Sequence, residues 1–114
     1  MMKRLAILGS TGSVGTQALE VVDQHPDLFA VEILSAHKNS ELVIEQAKKY
    51  QPNAVVITDE QAYGKVKFAL AASPTKVFFG QEALWYVVAW ESVDLVLAAI
   101  LGAAGLKSTL AAIE

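Results

Sequence analysis

Short apolar runs alternate along the chain with longer segments in which apolar residues recur every three or four positions. The runs predict buried β-strands at residues 4–8, 30–35, 54–57, 76–79 and 93–100. The longer segments predict helices at residues 13–24, 40–50, 60–72 and 81–91, and a last one marked by Leu106, Leu110 and Ile113. Because the strands are apolar throughout rather than at alternate positions, we expect a parallel sheet with helices on both faces.

The same pattern predicts which side of each early helix is buried and how the strands are ordered. The first helix is expected to bury Val14, Ala18, Val21 and Val22, and the second Leu42, Ile44 and Ala47. Thr58 and Asp59 are expected to cap the third helix. Residues 1–114 are thus predicted to form one α/β domain, a doubly wound parallel sheet in three αβα layers with strand order 3-2-1-4-5.

The segment "LGSTGSVG" places three glycines directly after the first predicted strand, at the start of the first helix. This context is the one that a phosphate-binding loop of a Rossmann-like domain requires. Gly9 is expected to allow a sharp turn, Gly12 to let a pyrophosphate approach the backbone, and Gly15 to allow close contact between helix and strand. Backbone N–H groups and the hydroxyl groups of Thr11 and Ser13 would donate to the anion. The alternative is a glycine-rich turn without a ligand.

The end of the second predicted strand indicates which dinucleotide the loop would hold. An NAD-binding domain places Asp or Glu there to bind the ribose hydroxyl groups, whereas this chain has "SAHKN" at residues 35–39. Lys38 would attract a 2′-phosphate, and Ser35 and Asn39 could hydrogen-bond to it. His37 could stack on the adenine or contact the phosphate. These residues favour NADPH over NADH; the alternative is a loop whose lysine and histidine are only solvated.

Composition and charge exclude several other functions. Apolar residues make up 54% of the chain and charged residues 18%, which suggests buried strands and some surface that does not face water. The net charge of −3, without a basic stripe, argues against nucleic acid as a partner. The absence of cysteine excludes disulfides, thiolate zinc sites and cysteine nucleophiles. No apolar run has the length of a signal sequence or a membrane span, so no membrane partner is expected and the chain is predicted to be cytoplasmic.

Two further patterns have the spacing of catalytic or metal-binding groups but are predicted to arise by chance. Tyr63 and Lys67 have the spacing of the catalytic pair in short-chain dehydrogenases, but they follow the third strand, on a surface helix at the adenine half. The carboxylate-containing pairs are expected to be solvated charges on outward helix faces: Asp23 with His25, and Glu41 with Glu45. No residue of the chain is expected to be catalytic or to bind a metal.

The helix predicted at 81–91 carries large apolar residues on nearly every face, whereas a helix packed on one side needs only an apolar stripe. This excess predicts a protein interface, and a closed homodimer is the commonest way to bury such a patch. The residues expected at the interface are Tyr63, Phe68, Trp85, Tyr86, Val88 and Trp90. The alternative is a helix that is well covered in the core.

Three segments resemble the N-terminal domain of 1-deoxy-D-xylulose 5-phosphate reductoisomerases in order and spacing: "LAILGSTGSVGTQALEVV", "HPDLFAVEILSAHKN" and "VDLVLAAILGAAGLKSTLAAIE". The resemblance covers the whole chain. It implies the reduction and isomerisation of 1-deoxy-D-xylulose 5-phosphate to 2-C-methyl-D-erythritol 4-phosphate, a step of isoprenoid biosynthesis that uses NADPH and Mg²⁺ or Mn²⁺. The family's metal ligands and substrate lid follow later in its sequence, so the chain is expected to be a truncated, inactive piece that holds the cofactor half.

The resemblance also implies roles for particular residues. Thr11, Gly12, Ser13 and Val14 would line the pyrophosphate and ribose. His37, Lys38 and Asn39 would line the 2′-phosphate and adenine, although the family usually has glycine where this chain has His37. Gly102, Ala103 and Ala104 would lie near the nicotinamide.

Two other functions stay open as alternatives to a cofactor-binding domain. The first is a trimmed or engineered scaffold that self-associates through the aromatic helix at 81–91. The second is an NADP-dependent short-chain reductase or epimerase, which the early position of Tyr63 and Lys67 disfavours.

Overall fold

The computed structural model of the chain describes residues 2–98. Within them strands and helices alternate as the apolar pattern predicts: β1 Lys3–Leu8, α1 Ser13–Gln24, β2 Phe29–Ala36, α2 Ser40–Tyr50, β3 Ala54–Ile57, α3 Glu60–Ala69, β4 Lys76–Phe79, α4 Gln81–Val88 and β5 Leu95–Ala98. Helices α3 and α4 end earlier than predicted, and β5 begins later. The last predicted helix lies outside the described residues.

The strands of this region pair in parallel in a five-stranded sheet, which confirms the predicted α/β architecture. Their order is β4-β3-β2-β1-β5, so the predicted order 3-2-1-4-5 is wrong. A right-handed crossover moves the chain one way along the sheet when its helix lies on one face, and the other way when it lies on the opposite face. Helices α1, α2 and α3 pack on one face and α4 on the other. The winding therefore reverses after β4 rather than after β3.

The two faces of the sheet bury separate apolar clusters because successive strand residues point to opposite sides. In β1, Leu5 and Ile7 face the side covered by α1, α2 and α3, whereas Ala6 and Leu8 face the side covered by α4. This alternation confirms that helices cover both faces and explains why the strands are apolar at every position.

The buried face of α1 is rotated from the predicted one. Gly15, Leu19 and Val22 are buried, whereas Val14 and Val21 are exposed. Gly15 faces the preceding loop at a distance that admits no side chain, and this contact sets the rotation of the helix. The predicted burial of Val14 and Val21 is therefore wrong, and that of Val22 is confirmed.

The buried face of α2 also differs from the prediction. It contains Val43, Gln46 and Ala47, while Leu42 and Ile44 are only half-buried. A buried glutamine breaks the apolar spacing on which the prediction relied. The face that packs on the sheet is therefore partly polar, and Gln46 reaches the glycine loop.

The helix ends follow ordinary capping chemistry. The Oδ1 atom of Asn39 accepts a hydrogen bond from the backbone N–H of Leu42 at 3.2 Å, at the start of α2. The Oδ2 atom of Asp59 accepts from the N–H of Ala62 at 3.0 Å, which confirms that Asp59 caps α3. Among the helices between residues 2 and 98, none combines the length and the apolar character that crossing a bilayer requires.

Candidate functional site

The glycine loop lies at the carboxyl end of β1, between Leu8 and Ser13. From β1 the chain winds through β2 and β3 to β4 in one direction, whereas β5 lies on the other side of β1. The strand order therefore reverses at β1. Open α/β sheets bind ligands outside the carboxyl ends of their strands at such a reversal. The position of the loop makes it the candidate site.

Two of the three glycines are required by the geometry of the loop itself. Gly9 has a φ of +74°, in the left-handed region that favours glycine. A Cβ on Gly15 would lie 2.3 Å from the carbonyl oxygen of Gly9 and 2.7 Å from the Cα of Ser10. These distances confirm that Gly9 allows a tight turn and that Gly15 allows α1 to pack closely against the loop.

Gly12 differs from the other two glycines. A Cβ at Gly12 would lie 3.5 Å from the carbonyl oxygen of Gly9, which is an ordinary van der Waals contact, and its φ is −81°. Gly12 is also exposed to solvent. Contacts within the described chain therefore do not explain a glycine here, whereas a ligand that approaches the backbone from solvent would.

The first turn of α1 presents backbone donors at the same place. The first hydrogen bond of the helix runs from the N–H of Thr16 to the carbonyl of Gly12 at 2.9 Å, so the N–H groups of Ser13, Val14 and Gly15 precede it. No acidic residue lies in this first turn, whereas α2, α3 and α4 each begin with a glutamate there. The positive end of the α1 dipole is thus left without a carboxylate of its own.

A buried polar network holds the loop from behind. The N–H of Gly9 donates to the Oγ of Ser35 at 2.9 Å, and the N–H of Ser10 donates to the carbonyl of Ser35 at 2.8 Å. The Oε1 of Gln46 accepts a hydrogen bond from the Ser10 hydroxyl group at 2.7 Å, and its Nε2 donates to the Ser10 carbonyl at 2.9 Å. Ser35 therefore supports the glycine loop rather than a 2′-phosphate, which corrects the sequence-based expectation. Gln46 was missed because helical spacing was assigned from apolar residues alone.

The segment after β2 lies beside the glycine loop, because β1 and β2 are neighbouring parallel strands. His37, Lys38 and Asn39 are all exposed there. The Nδ1 of His37 hydrogen-bonds to the Oγ1 of Thr58 at 2.8 Å, and the Oδ1 of Asn39 is occupied by the α2 cap. Lys38 and Asn39 thus place an ammonium group and an amide nitrogen on an exposed segment.

A cavity of about 220 Å³ adjoins this segment and is lined in part by Lys38, Lys65 and Asp59. The two lysines come from different elements, the β2–α2 connection and α3. The Asp59 carboxylate accepts a hydrogen bond from the N–H of Ala62. Two of the lining residues are thus basic and one is acidic.

The residues of the patterns predicted to arise by chance make contacts of their own. Lys67 Nζ lies 5.5 Å from the centre of the Tyr63 ring on α3, a cation–π contact on the helix surface. Asp23 accepts from Tyr50 at 2.8 Å and from Lys49 at 3.0 Å, rather than pairing with His25. The Tyr50 hydrogen bond, and then that of Lys49, hold the pKa of Asp23 below its usual value. Within residues 2–98 no group of three or more His, Cys, Asp or Glu side chains could hold a metal ion.

The six residues expected at an interface are divided between different surroundings. Trp85 and Tyr86 on α4 are 63% and 62% exposed. Val88 and Trp90 pack on the cluster beneath α4, and Tyr63 packs on the cluster of the opposite face. Phe68 is exposed, but it lies on α3, which covers that opposite face. Of these six residues, only Trp85 and Tyr86 are both exposed and on α4.

The parallel sheet, with a glycine loop where the strand order reverses, defines the Rossmann-like class of nucleotide-binding domains. The family model described as 1-deoxy-D-xylulose 5-phosphate reductoisomerase matches residues 5–114. The chain belongs to this family.

Curated relatives and solved structures agree with the assignment. The chain is 49% identical over 114 residues to the 1-deoxy-D-xylulose 5-phosphate reductoisomerase of Phocaeicola vulgatus, covering all of this chain and 30% of that protein. The 1-deoxy-D-xylulose 5-phosphate reductoisomerase of Porphyromonas gingivalis is 46% identical over 114 residues, again covering all of this chain and 30% of that protein. The structure of the Zymomonas mobilis enzyme with NADPH matches with a TM-score of 0.82 at 35% identity, covering 98% of this chain and 29% of that one. A reductoisomerase with NADPH, fosmidomycin and magnesium gives a TM-score of 0.83 at 34% identity, over 97% and 28% of the two chains.

The chain spans about 30% of the length of these relatives. The residues predicted to lie near the nicotinamide, Gly102, Ala103 and Ala104, are outside the described residues.

Proposed function

We propose that this chain is the NADPH-binding domain of a 1-deoxy-D-xylulose 5-phosphate reductoisomerase. The observation that carries the proposal is the first turn of α1, whose backbone N–H groups precede the first intrahelical hydrogen bond and follow an exposed glycine, and which contains no acidic residue. A phosphate there would gain hydrogen bonds and the favourable end of the helix dipole. The related structures that contain NADPH support this choice of anion.

The proposed contacts divide the cofactor among three segments. Thr11, Gly12, Ser13 and Val14 would hold the pyrophosphate and the adjoining ribose through backbone N–H and hydroxyl groups. The residues proposed for the 2′-phosphate and adenine are His37, Lys38 and Asn39, and those proposed for the nicotinamide end are Gly102, Ala103 and Ala104. The last three rest on the family motif alone.

The preference for NADPH over NADH is proposed from the charges after β2. Lys38 is exposed, and it shares the cavity beside β2 with Lys65. A 2′-phosphate carries a charge of about −2 at pH 7 and accepts charge-assisted hydrogen bonds, which an uncharged ribose hydroxyl group cannot match. No carboxylate stands at residues 35–39 to accept bonds from that hydroxyl group.

Replacement of Lys38 by alanine is expected to weaken NADPH binding by about 1–2 kcal/mol, or roughly 5- to 30-fold in Kd, because one charge-assisted contact is lost. NADH binding should change little. Calorimetric titration of the wild-type chain and Lys38→Ala with both cofactors measures the difference. Lys48→Ala, which removes an exposed lysine near the far end of α2, is the matched control. An equal loss of affinity for both cofactors would contradict the role assigned to Lys38.

The activity of the whole protein is proposed from its relatives. It is the NADPH-dependent reduction and isomerisation of 1-deoxy-D-xylulose 5-phosphate, with a divalent cation such as the magnesium of a related structure. The described residues contain no group of side chains that could hold that cation. They therefore fit the cofactor half of the reaction: they would bind the dinucleotide and fix its phosphates, and NADPH would supply the hydride.

We also propose that the chain forms a homodimer through α4. Trp85 and Tyr86 are consecutive residues of this helix, and each exposes more than half of its surface. Aromatic residues are enriched in the cores of interfaces, and exposed apolar patches mark interaction sites. The interface is accordingly proposed for Trp85 and Tyr86, not for Val88 and Trp90, which pack inside the domain.

Replacement of Trp85 by glutamate is expected to convert the dimer to a folded monomer, because a carboxylate would be buried without a partner at the centre of the interface. Sedimentation velocity at tens of micromolar measures the assembly. Phe68→Glu is the matched control, since Phe68 is 86% exposed on the opposite face and should leave the dimer intact. A wild-type chain that sediments as a monomer would refute the dimer.

A further inference from the structure

We propose that Gln46 is a positioning residue, which sets the conformation of the glycine loop and thereby its affinity for the dinucleotide phosphates. The effect on NADPH rests on the proposed cofactor function, whereas the effect on the loop does not. Gln46 lies on α2, far along the chain from the loop, and is 6% exposed. A polar side chain at such a position needs partners, and both ends of its amide group find them in Ser10.

The contact between Gln46 and Ser10 can form in only one orientation. The Nε2 group donates to the Ser10 carbonyl at 2.9 Å, and Oε1 accepts from the Ser10 hydroxyl group at 2.7 Å. If the amide were reversed, Oε1 would face a carbonyl oxygen that can only accept. The pair therefore fixes the peptide plane after Ser10 as well as its side chain. Ser35 holds the peptide before it, by accepting from the N–H groups of Gly9 and Ser10.

The loop is thus held from two sides. On the α1 side, Gly15 touches the carbonyl oxygen of Gly9 and the backbone of Ser10, with no room for a Cβ. On the α2 side, Gln46 holds Ser10, which is completely buried. Between these contacts Gly9 adopts its left-handed conformation. The N–H of Gly12 then donates to the carbonyl of Gly9 at 3.1 Å, and the N–H groups of Ser13 and Val14 follow it at the start of α1.

A fixed loop matters for a phosphate site because the backbone donors must already point at the anion when it arrives. If Gln46 no longer held Ser10, part of the binding free energy would be used to order the loop. The loss should fall on every ligand that uses the loop phosphates, so NADPH and NADH should weaken together. This signature differs from that of Lys38, whose loss should affect NADPH alone.

The decisive variant is Gln46→Met, which keeps the length and volume of the side chain and removes both hydrogen bonds to Ser10. We expect the Kd of NADPH and that of NADH each to rise roughly tenfold, the scale of one to two lost buried hydrogen bonds. The matched control is Val43→Ala on the same face of α2, which is fully buried and belongs to the apolar cluster rather than to the loop network. It should lower stability while leaving both Kd values within about twofold.

Amide hydrogen exchange of the ligand-free chain tests the positioning role without any cofactor. In Gln46→Met the N–H groups of Gly9 and Ser10 should exchange roughly tenfold faster, while those of β3 keep their protection, because only the loop opens. A merely structural role would accelerate exchange in the loop and in β3 to the same degree. That result, or loop exchange and Kd values unchanged from wild type, would overturn the proposal.

If Gln46→Met fails to fold, the variant Ser10→Ala provides a second test of the contact between Gln46 and the loop. It removes the hydroxyl group, which donates to Oε1 at 2.7 Å and also lies 3.3 Å from the Ser35 carbonyl, and keeps the bond from Nε2 to the Ser10 carbonyl. Selective acceleration of Gly9 exchange in this variant would support the proposal, and protection equal to wild type would overturn it. If the wild-type chain bound no NADPH, the proposed cofactor function would fail, yet the exchange experiment would still decide whether Gln46 orders the loop.

Discussion

Replacement of Gly15 by alanine is expected to destabilise the chain by about 3 kcal/mol, near the upper end for forcing extra atoms into a packed site. The new Cβ would lie 2.3 Å from the carbonyl oxygen of Gly9 and within 3 Å of two backbone atoms of Ser10. Because these neighbours are backbone atoms, no side-chain rotation relieves the clash. Helix α1 would have to move away from β1, and the first-turn N–H groups would move with it.

Urea denaturation followed by circular dichroism measures this loss of stability. The matched control is Gly64→Ala on α3, where nothing lies within 4 Å of the added Cβ. That substitution should be neutral or stabilise the chain by up to about 1 kcal/mol, because alanine favours a helix more than glycine does. If Gly15→Ala unfolded at the same urea concentration as the wild type, the close packing of α1 on the loop would be refuted.

Replacement of Lys38 by glutamate is expected to invert the cofactor preference. NADPH binding should weaken by about 3 kcal/mol, on the order of 100-fold, because a charge-assisted contact is lost and a carboxylate then repels the 2′-phosphate. NADH should bind as well as before or better, since a carboxylate after β2 can accept hydrogen bonds from the ribose hydroxyl groups.

Competition titrations with both cofactors measure the ratio of the two Kd values. Lys48→Glu carries the same charge change to an exposed position in the last turn of α2 and should leave the ratio unchanged. A Lys38→Glu chain that still preferred NADPH would show that the 2′-phosphate is recognised elsewhere.

The apolar runs predicted the strands well because a parallel strand covered on both faces must be apolar at nearly every position. The buried faces of the helices were harder to predict. The rotation of α1 and that of α2 each depend on a contact that the spacing of apolar residues does not reveal. In α1 the rotation follows the contact of Gly15 with the loop, and in α2 it follows the hydrogen bonds of Gln46. Both contacts join residues that are distant in the chain or lack a side chain.

Strand order could not be predicted because it depends on which face each crossover helix covers. The sequences of α3 and α4 both carry enough apolar residues to pack on either face. In the structure α3 packs on the same face as α1 and α2, through Ala62 and Val66. Helix α4 packs on the opposite face, through Leu84 and Val87. Because α4 lies on the opposite face, the direction in which strands are added to the sheet reverses after β4.

For the site, the glycine spacing located the loop, and the geometry of Gly9 and Gly15 confirms its shape. What the sequence could not reveal is the network behind the loop. Ser35 was assigned to a ligand because it stands near Lys38 in the chain, yet its side chain points into the domain and accepts from Gly9. Ser35 lies in the part of β2 where every residue is buried, so the strand and not the neighbouring loop sets its surroundings.

The central claim is that the loop after β1 and the segment after β2 together hold NADPH. A two-dimensional ¹H–¹⁵N spectrum of the labelled chain, recorded during titration with NADPH, tests it most directly. We expect saturable shifts of the backbone amides of residues 11–14 and 37–39, with the amides at the far end of the sheet, around Asn53 and Ser92, unchanged. Titration with NADH should shift the first group at higher concentration and the second group weakly. A spectrum that NADPH leaves unchanged, or shifts confined to residues away from the carboxyl ends of β1 and β2, would contradict the claim.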